Sequence, residues 1–210
     1  MDVSAGAARP SFDAGPRTPR GEALLVIDLQ RDYFADGELE RCRADLVSAV
    51  NVLVRSAREA GVLVVEVRTE HDPGRSTWTL SMLEDDSGVV LAGTEGAEPP
   101  ADLETGDATT ITKTRDSAFF DTSLRELLTR HGVAHVTITG ISTESCVAAT
   151  ARDAFAHDLT VTLVEEATAS IDPRLHEQTL RQLAHQYRQE VASSRAVLRR
   201  WATRRGAEDA

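Results

Sequence analysis

Three side chains in this sequence have the types needed for covalent chemistry: Asp28 at the end of "ALLVID", Lys113 in "TTITKT" and Cys146 in "VTITGISTESCV". A thiol becomes a strong nucleophile when an acceptor takes its proton, and a fixed cation nearby orders that acceptor and favours the charged pair. Each residue also has an ordinary reading. An Asp at a strand end commonly caps the next turn, a lysine is usually solvated, and free Cys often packs as a small hydrophobe. Two features favour chemistry at Cys146. Thr143 reads as a helix cap, so the thiol falls in a first helical turn, where unpaired N–H groups and the helix dipole stabilise a thiolate. Asp28 and Lys113 also end strand-like runs of their own. Cys42, in "ELERCRADLV", has no such setting and reads as structural.

Those three positions need elements to bring them together. "EALLVIDLQ" and "GVLVVEVRTEHD" are continuous apolar runs that read as buried parallel strands. Between them Leu46, Val47, Val50, Leu53, Val54 and Ala57 recur at helical spacing and Gly61 follows as a stop, which makes a βαβ unit. "ATTITKT" is a short strand, "SLRELLTRHG" a helix and "AHVTITG" a strand. A helix is predicted from about Thr143 to His157, then the strand "LTVTLVEEA", a helix from "DPRLHEQTL" and a last strand in "EVASS". The alternation predicts a three-layer, doubly wound, mostly parallel sheet of Rossmann-like form. In such sheets ligands bind beyond the carboxyl ends of the strands, where all three residues lie. The Gly-, Pro- and acid-rich stretch from Pro73 to Asp107 interrupts the pattern and reads as a functional excursion, a lid or pocket wall.

Composition narrows the classes. The chain has 210 residues, 41% hydrophobic and 27% charged, which suits one globular domain. We place that domain at residues 21–203, with an amino-terminal arm at 1–20 and a tail at 204–210. The formal charge of −11 argues against nucleic acid, whose binding depends on clustered Lys and Arg. Apolar runs are too short to cross a bilayer, and the Ala-, Gly- and Pro-rich start lacks the pattern of a secretion signal. Two cysteines without metal spacing fit a cytoplasmic protein with free thiols.

With these residues in place, the chain resembles the isochorismatase-like cysteine hydrolases, which include nicotinamidases and N-carbamoylsarcosine amidase. "ALLVIDLQRDYF" is similar to the family's first strand with its D-x-Q-x-x-F continuation, "ITKTRDSAFFDTSL" to its K-x-R-x-S-A-F block, and "TGISTESCVAATARDAFAHDL" to its T-G-x-x-T-x-x-C-V block. The resemblance implies a triad of Asp28, Lys113 and Cys146. It also implies a cis peptide between Ile141 and Ser142 that turns the Ser142 N–H toward the site, to form an oxyanion hole with the Cys146 N–H. The implied reaction is hydrolysis of a non-peptide C–N bond in a small molecule through a thioester, with no cofactor. The implied assembly is a homo-oligomer, a dimer or tetramer.

Departures from relatives narrow this further. The stretch "TEHDPGRSTWTL" has a single His71 without the partner spacing of the nicotinamidase metal site, so no metal is expected. Branches that cleave the vinyl ether of isochorismate typically lack the cysteine, so Cys146 speaks against that activity. Phe34, Trp78 and Phe119 are candidates to line the pocket, and Arg115 and Glu144, beside the blocks, are candidates to touch a polar substrate. The rivals are an idle member of the fold that binds a metabolite or partner, and a thiol redox sensor, for which no resolving cysteine lies near Cys146 in sequence.

Overall fold

A computed structural model describes residues 21–35 and 37–208. The arm expected at residues 1–20 lies outside them. The strands are β1 (Gly21–Ile27), β2 (Leu63–Thr69), β3 (Thr109–Lys113), β4 (Val133–Gly140), β5 (Thr160–Thr168) and β6 (Glu190–Ala192). The α-helices are α1 (Gly37–Glu59), α2 (Leu80–Glu84), α3 (Leu124–Arg130), α4 (Ala148–Ala156), α5 (Pro173–Tyr187) and α6 (Ser194–Glu208). Every strand pairing is parallel, and the order across the sheet is β3-β2-β1-β4-β5-β6. The chain winds outward from β1 to one edge, then from β4 to the other. The crevice beyond β1 and β4 is the switch point where such folds bind ligands.

The continuous apolar strands are explained by burial on both faces. Side chains alternate across a strand, so Ala23, Leu25 and Ile27 of β1 enter a core with α3, α4 and α5, while Leu24 and Val26 enter a second core with α1 and α6. Leu46, Val47, Val50, Leu53, Val54 and Ala57 of α1 are all buried, as their spacing predicts. On the opposite face Ala148, Ala151 and Ala154 let α4 lie close to the sheet beside Leu180 and Leu183 of α5. Asp172 caps α5 by accepting a hydrogen bond from the Arg174 N–H at 2.8 Å, and Pro173 opens that helix.

Two elements differ from their sequence reading. The segment Thr143–Val147 is a π-helical turn, and regular α-helix begins only at Ala148. Thr143 does not cap it: Ser142 stands at the cap position, and the Thr143 hydroxyl donates instead to the Ala169 carbonyl at 3.0 Å. A competing acceptor on the neighbouring strand end therefore overrides the local capping preference. At the carboxyl end, α6 runs to Glu208, into the stretch read as a tail from residue 204.

The excursion between residues 73 and 107 is fastened to the domain. The buried Asn51 side chain of α1 donates to the Asp102 carbonyl at 2.7 Å and accepts from the Glu104 N–H at 2.9 Å. Arg43, Arg55 and Arg58 reach Asp102, Glu104 and Asp107, but these pairs are exposed and add little.

One backbone position controls how β4 enters the site. Gly140 has φ +114°, and a Cβ there would overlap the Ile27 carbonyl of β1. Only glycine fits, because the strained conformation and the close approach both exclude a side chain. Gly140→Ala is expected to cost about 2 to 4 kcal/mol, measured by urea unfolding. A loss below roughly 0.5 kcal/mol, the size of an ordinary surface change, would show that β1 and β4 can separate without penalty.

Candidate active site

Asp28 follows the last residue of β1. Its N–H donates to the Val67 carbonyl of β2 at 2.9 Å, and its φ of 53° swings the side chain across the strand ends. Lys113 is the last residue of β3, in register with Thr69, the last of β2. Cys146 comes from the π turn after β4. The sheet thus delivers acid and base from three strands to one point. Lys113 Nζ lies 2.8 Å from Asp28 Oδ2, 2.6 Å from Thr69 Oγ1 and 3.4 Å from Cys146 Sγ.

The Lys113 and Asp28 side chains are 0% and 1% exposed, so the pair is a fully desolvated one. Removing two charges from water is costly, and close pairing with further hydrogen bonds must offset it. Thr69 supplies them: its hydroxyl donates to Asp28 Oδ1 at 2.9 Å while its oxygen faces the ammonium. Burial opposes the Lys113 charge, but Asp28 and Cys146 raise its pKa above the ordinary lysine value.

Cys146 behaves differently from the expectation that a first helical turn would favour the thiolate. Burial pushes its thiol pKa well up, and the Asp28 charge adds to that, outweighing the opposing effect of Lys113. The resting sulfur therefore carries its proton. Desolvation and a facing carboxylate are stronger here than the dipole of one short turn.

A small cavity of about 150 Å³ opens above the sulfur. Asp28, Cys146, Ile141 and Ser142 line it, and the peptide between Ile141 and Ser142 is cis. Tyr33, Ser145 and Asp116 complete the wall. None of those three was singled out in the sequence. Tyr33 and Asp116 lie inside the matching blocks, but nothing in their spacing tells which of their neighbours turns inward. Burial raises the Tyr33 pKa, as do Asp28 and Cys146 beside it, so its hydroxyl stays neutral.

The other predicted pocket residues stand elsewhere. Phe34 is buried against the α1 core and lines a separate hollow with Arg31 and Pro100. Phe119 packs in the opposite core, its ring 5.0 Å from that of His157. Trp78 anchors the excursion: its indole N–H donates to the Asp72 carbonyl at 3.0 Å, and Arg75 stacks over the ring at 4.7 Å. Arg115 donates to the Thr77 carbonyl at 2.8 Å. Glu144 is not among the residues lining the cavity, and its buried Oε2 has no partner among the described residues. His71 is buried, its Nδ1 3.0 Å from the Thr77 carbonyl. Aromatic residues near a motif fill core as readily as pocket.

Two further residues connect the site to its wall. The Gln30 side chain donates to the Thr69 and Ala97 carbonyls at 2.7 and 2.8 Å and accepts from the Thr69 N–H at 2.9 Å. Asp32 accepts from the Val90 N–H at 2.7 Å. The loop that carries Asp28 therefore also holds the excursion.

The protonated thiol has a consequence for stability. The folded state binds the Cys146 proton more tightly than the unfolded chain, so the stability it contributes is fully present below the ordinary thiol pKa of about 8.5 and is lost as pH rises through the higher folded value. From about pH 8 to 10 the melting temperature is expected to fall more steeply for the wild type than for Cys146→Ala. Parallel slopes in thermal unfolding would contradict the assignment of that proton.

The chain is similar to known proteins over most of its length. A family model described as the isochorismatase domain matches residues 22–196. A protein named a probable inactive nicotinamidase from Arabidopsis thaliana is 37% identical over 166 residues, covering 75% of this chain and 85% of its own. Streptothricin hydrolase of Streptomyces noursei is 34% identical over 159 residues, 72% of this chain but only 55% of that protein, so the chain spans about half of that relative. Among solved structures, an isochorismatase family protein from Desulfovibrio vulgaris superposes with a TM-score of 0.79 at 30% identity, covering 87% of this chain and 99% of that one. A six-stranded parallel sheet, and a matching family model over most of its length, make this chain a member of the isochorismatase family.

Proposed function

We propose that the protein is a cysteine hydrolase that cleaves a non-peptide C–N bond in a small molecule, with Cys146 as nucleophile. The observation that carries this reading is the position of Lys113 Nζ, in contact with both Asp28 Oδ2 and Cys146 Sγ, two residues that line one small cavity. A buried lysine held between an acid and a thiol has no evident structural purpose that an apolar residue would not serve better.

The steps follow from the geometry. Asp28 accepts the thiol proton as the sulfur attacks the carbonyl carbon. Because the resting thiol is protonated, transfer and attack are coupled rather than starting from a preformed thiolate. Lys113 keeps its proton and balances the negative charge as it moves between carboxylate and sulfur. The oxyanion forms against the Ser142 and Cys146 N–H groups, each donor worth roughly 3 to 4 kcal/mol in acyl-transfer sites. Collapse breaks the C–N bond, and Asp28 returns its proton to the leaving nitrogen. Water then attacks the thioester, the acid product departs and the thiol is restored. The cavity of about 150 Å³ admits the reacting group of a small amide, ureido compound or lactam. The body of a larger substrate stays outside the mouth.

A second reading, an idle fold member that binds a small metabolite, is favoured by the relative whose name calls it inactive. Purified wild type assayed against amides, lactams and ureido compounds for product release is expected to turn over at least one. Cys146→Ala should lose about a thousandfold or more in kcat/KM while melting normally below pH 8. A Cys146→Ala protein that keeps its activity would falsify the nucleophile, and an inert wild type whose cavity still binds such compounds would support the idle reading.

A further inference from the structure

The cavity mouth holds a charge that the proposed reaction does not use. Asp116 lines the same wall as Cys146, its Oδ1 3.9 Å from the sulfur. Among the described residues it makes no ion pair. The cations nearby are committed elsewhere. Lys113 is held by Asp28 and Thr69, and Arg115, its sequence neighbour, directs Nη1 to the carbonyls of Thr77 at 2.8 Å and Thr114 at 2.6 Å. The wall therefore carries two carboxylates, Asp28 paired with Lys113 and Asp116 in no ion pair, and among the described residues that line it none is a cation. Its charge reaches inward, acting on both the Cys146 thiol and the Tyr33 hydroxyl.

We infer that Asp116 is a specificity-determining residue that selects amides carrying an ammonium group on the carbon next to the scissile carbonyl. The distances fit that class. A carbonyl carbon about 3 to 3.5 Å from the sulfur is in attack position. A nitrogen one carbon further on can then reach a carboxylate that is itself 3.9 Å from the sulfur. A charge-assisted N–H···O bond forms there, and it is stronger than one to a neutral donor. A carboxylate at the same place meets the like charge of Asp116, while the one ammonium within reach, Lys113, is already paired with Asp28. The formal charge of −11 adds to the same sense by drawing cations toward the chain. The inference rests on the hydrolase reading for its substrate, but the recognition it assigns to Asp116 does not need turnover to be measured.

The test uses the full chain with two probes of similar size and opposite charge, 2-(trimethylammonio)ethyl and 2-sulfonatoethyl methanethiosulfonate. Mass mapping gives the labelling rate at Cys146, with Cys42 as an internal reference. The wild type should favour the cationic probe at Cys146 on the order of tenfold over its preference at Cys42, and added salt should weaken that preference. Asp116→Asn, which keeps the shape and removes the charge, should abolish most of it. In parallel, glycinamide and propionamide compare an ammonium-bearing amide with a neutral one, and Asp116→Asn should narrow any gap in kcat/KM. An unchanged probe preference in Asp116→Asn overturns the inference, and so does a Cys146 that neither probe can reach. If the preference collapses but no amide is hydrolysed, recognition by Asp116 stands and the hydrolase reading falls. If amides are hydrolysed through Cys146 and Asp116→Asn changes nothing, the reverse holds.

Discussion

The contact between Lys113 and Asp28 governs the rest of this structure. Two opposite charges are buried at the ends of non-adjacent strands, β3 and β1, separated by β2. Either partner alone would be an uncompensated buried charge, a fault worth several kcal/mol. The pair therefore tolerates little error in strand register or length. Thr69 fills the space on the intervening strand and gives each partner a hydrogen bond. The register of β2 against β3 sets Thr69 beside Lys113, and Gly140 lets β4 close against Ile27 so that the segment bearing the cysteine comes within range.

Much of the repeated motif language serves this positioning. Ala118 N–H donates to the Thr150 hydroxyl at 3.0 Å, joining the block after Lys113 to the helix after Cys146. Ser117 and Asp153 pair across the same junction. Gln30 clamps β1 to β2 and to the excursion at once. These polar residues sit where an apolar one would pack more cheaply, and their direct effect is to fix the distance between segments that deliver the acid, the ammonium and the sulfur.

The layers and the reactive centre were legible because they rest on long-range periodicity and on the ends of strands. Continuous apolar runs in β1 and β2 fixed two-sided burial, and polar residues at or just past strand ends fell at one end of a parallel sheet. What was not legible depends on side-chain direction. Thr143 looked like a cap, but the Ala169 carbonyl offered a better partner from a strand far away in sequence. Phe34 and Phe119 flank the motif blocks yet face opposite cores. Tyr33 and Asp116 line the cavity although adjacent residues share their general character. No one-dimensional pattern separates these cases, since a turn of one residue exchanges wall for core.

The proton held on Cys146 has a meaning outside catalysis. Thiolates are the species that attack peroxides and disulfides, and a thiol whose pKa is pushed up by burial supplies little of that form. A sulfur stored in this form resists sulfenic and sulfinic damage while the protein stands idle. In the proposed reaction the same burial leaves activation to the arrival of a carbonyl group, so chemical durability and selectivity would share one desolvated site.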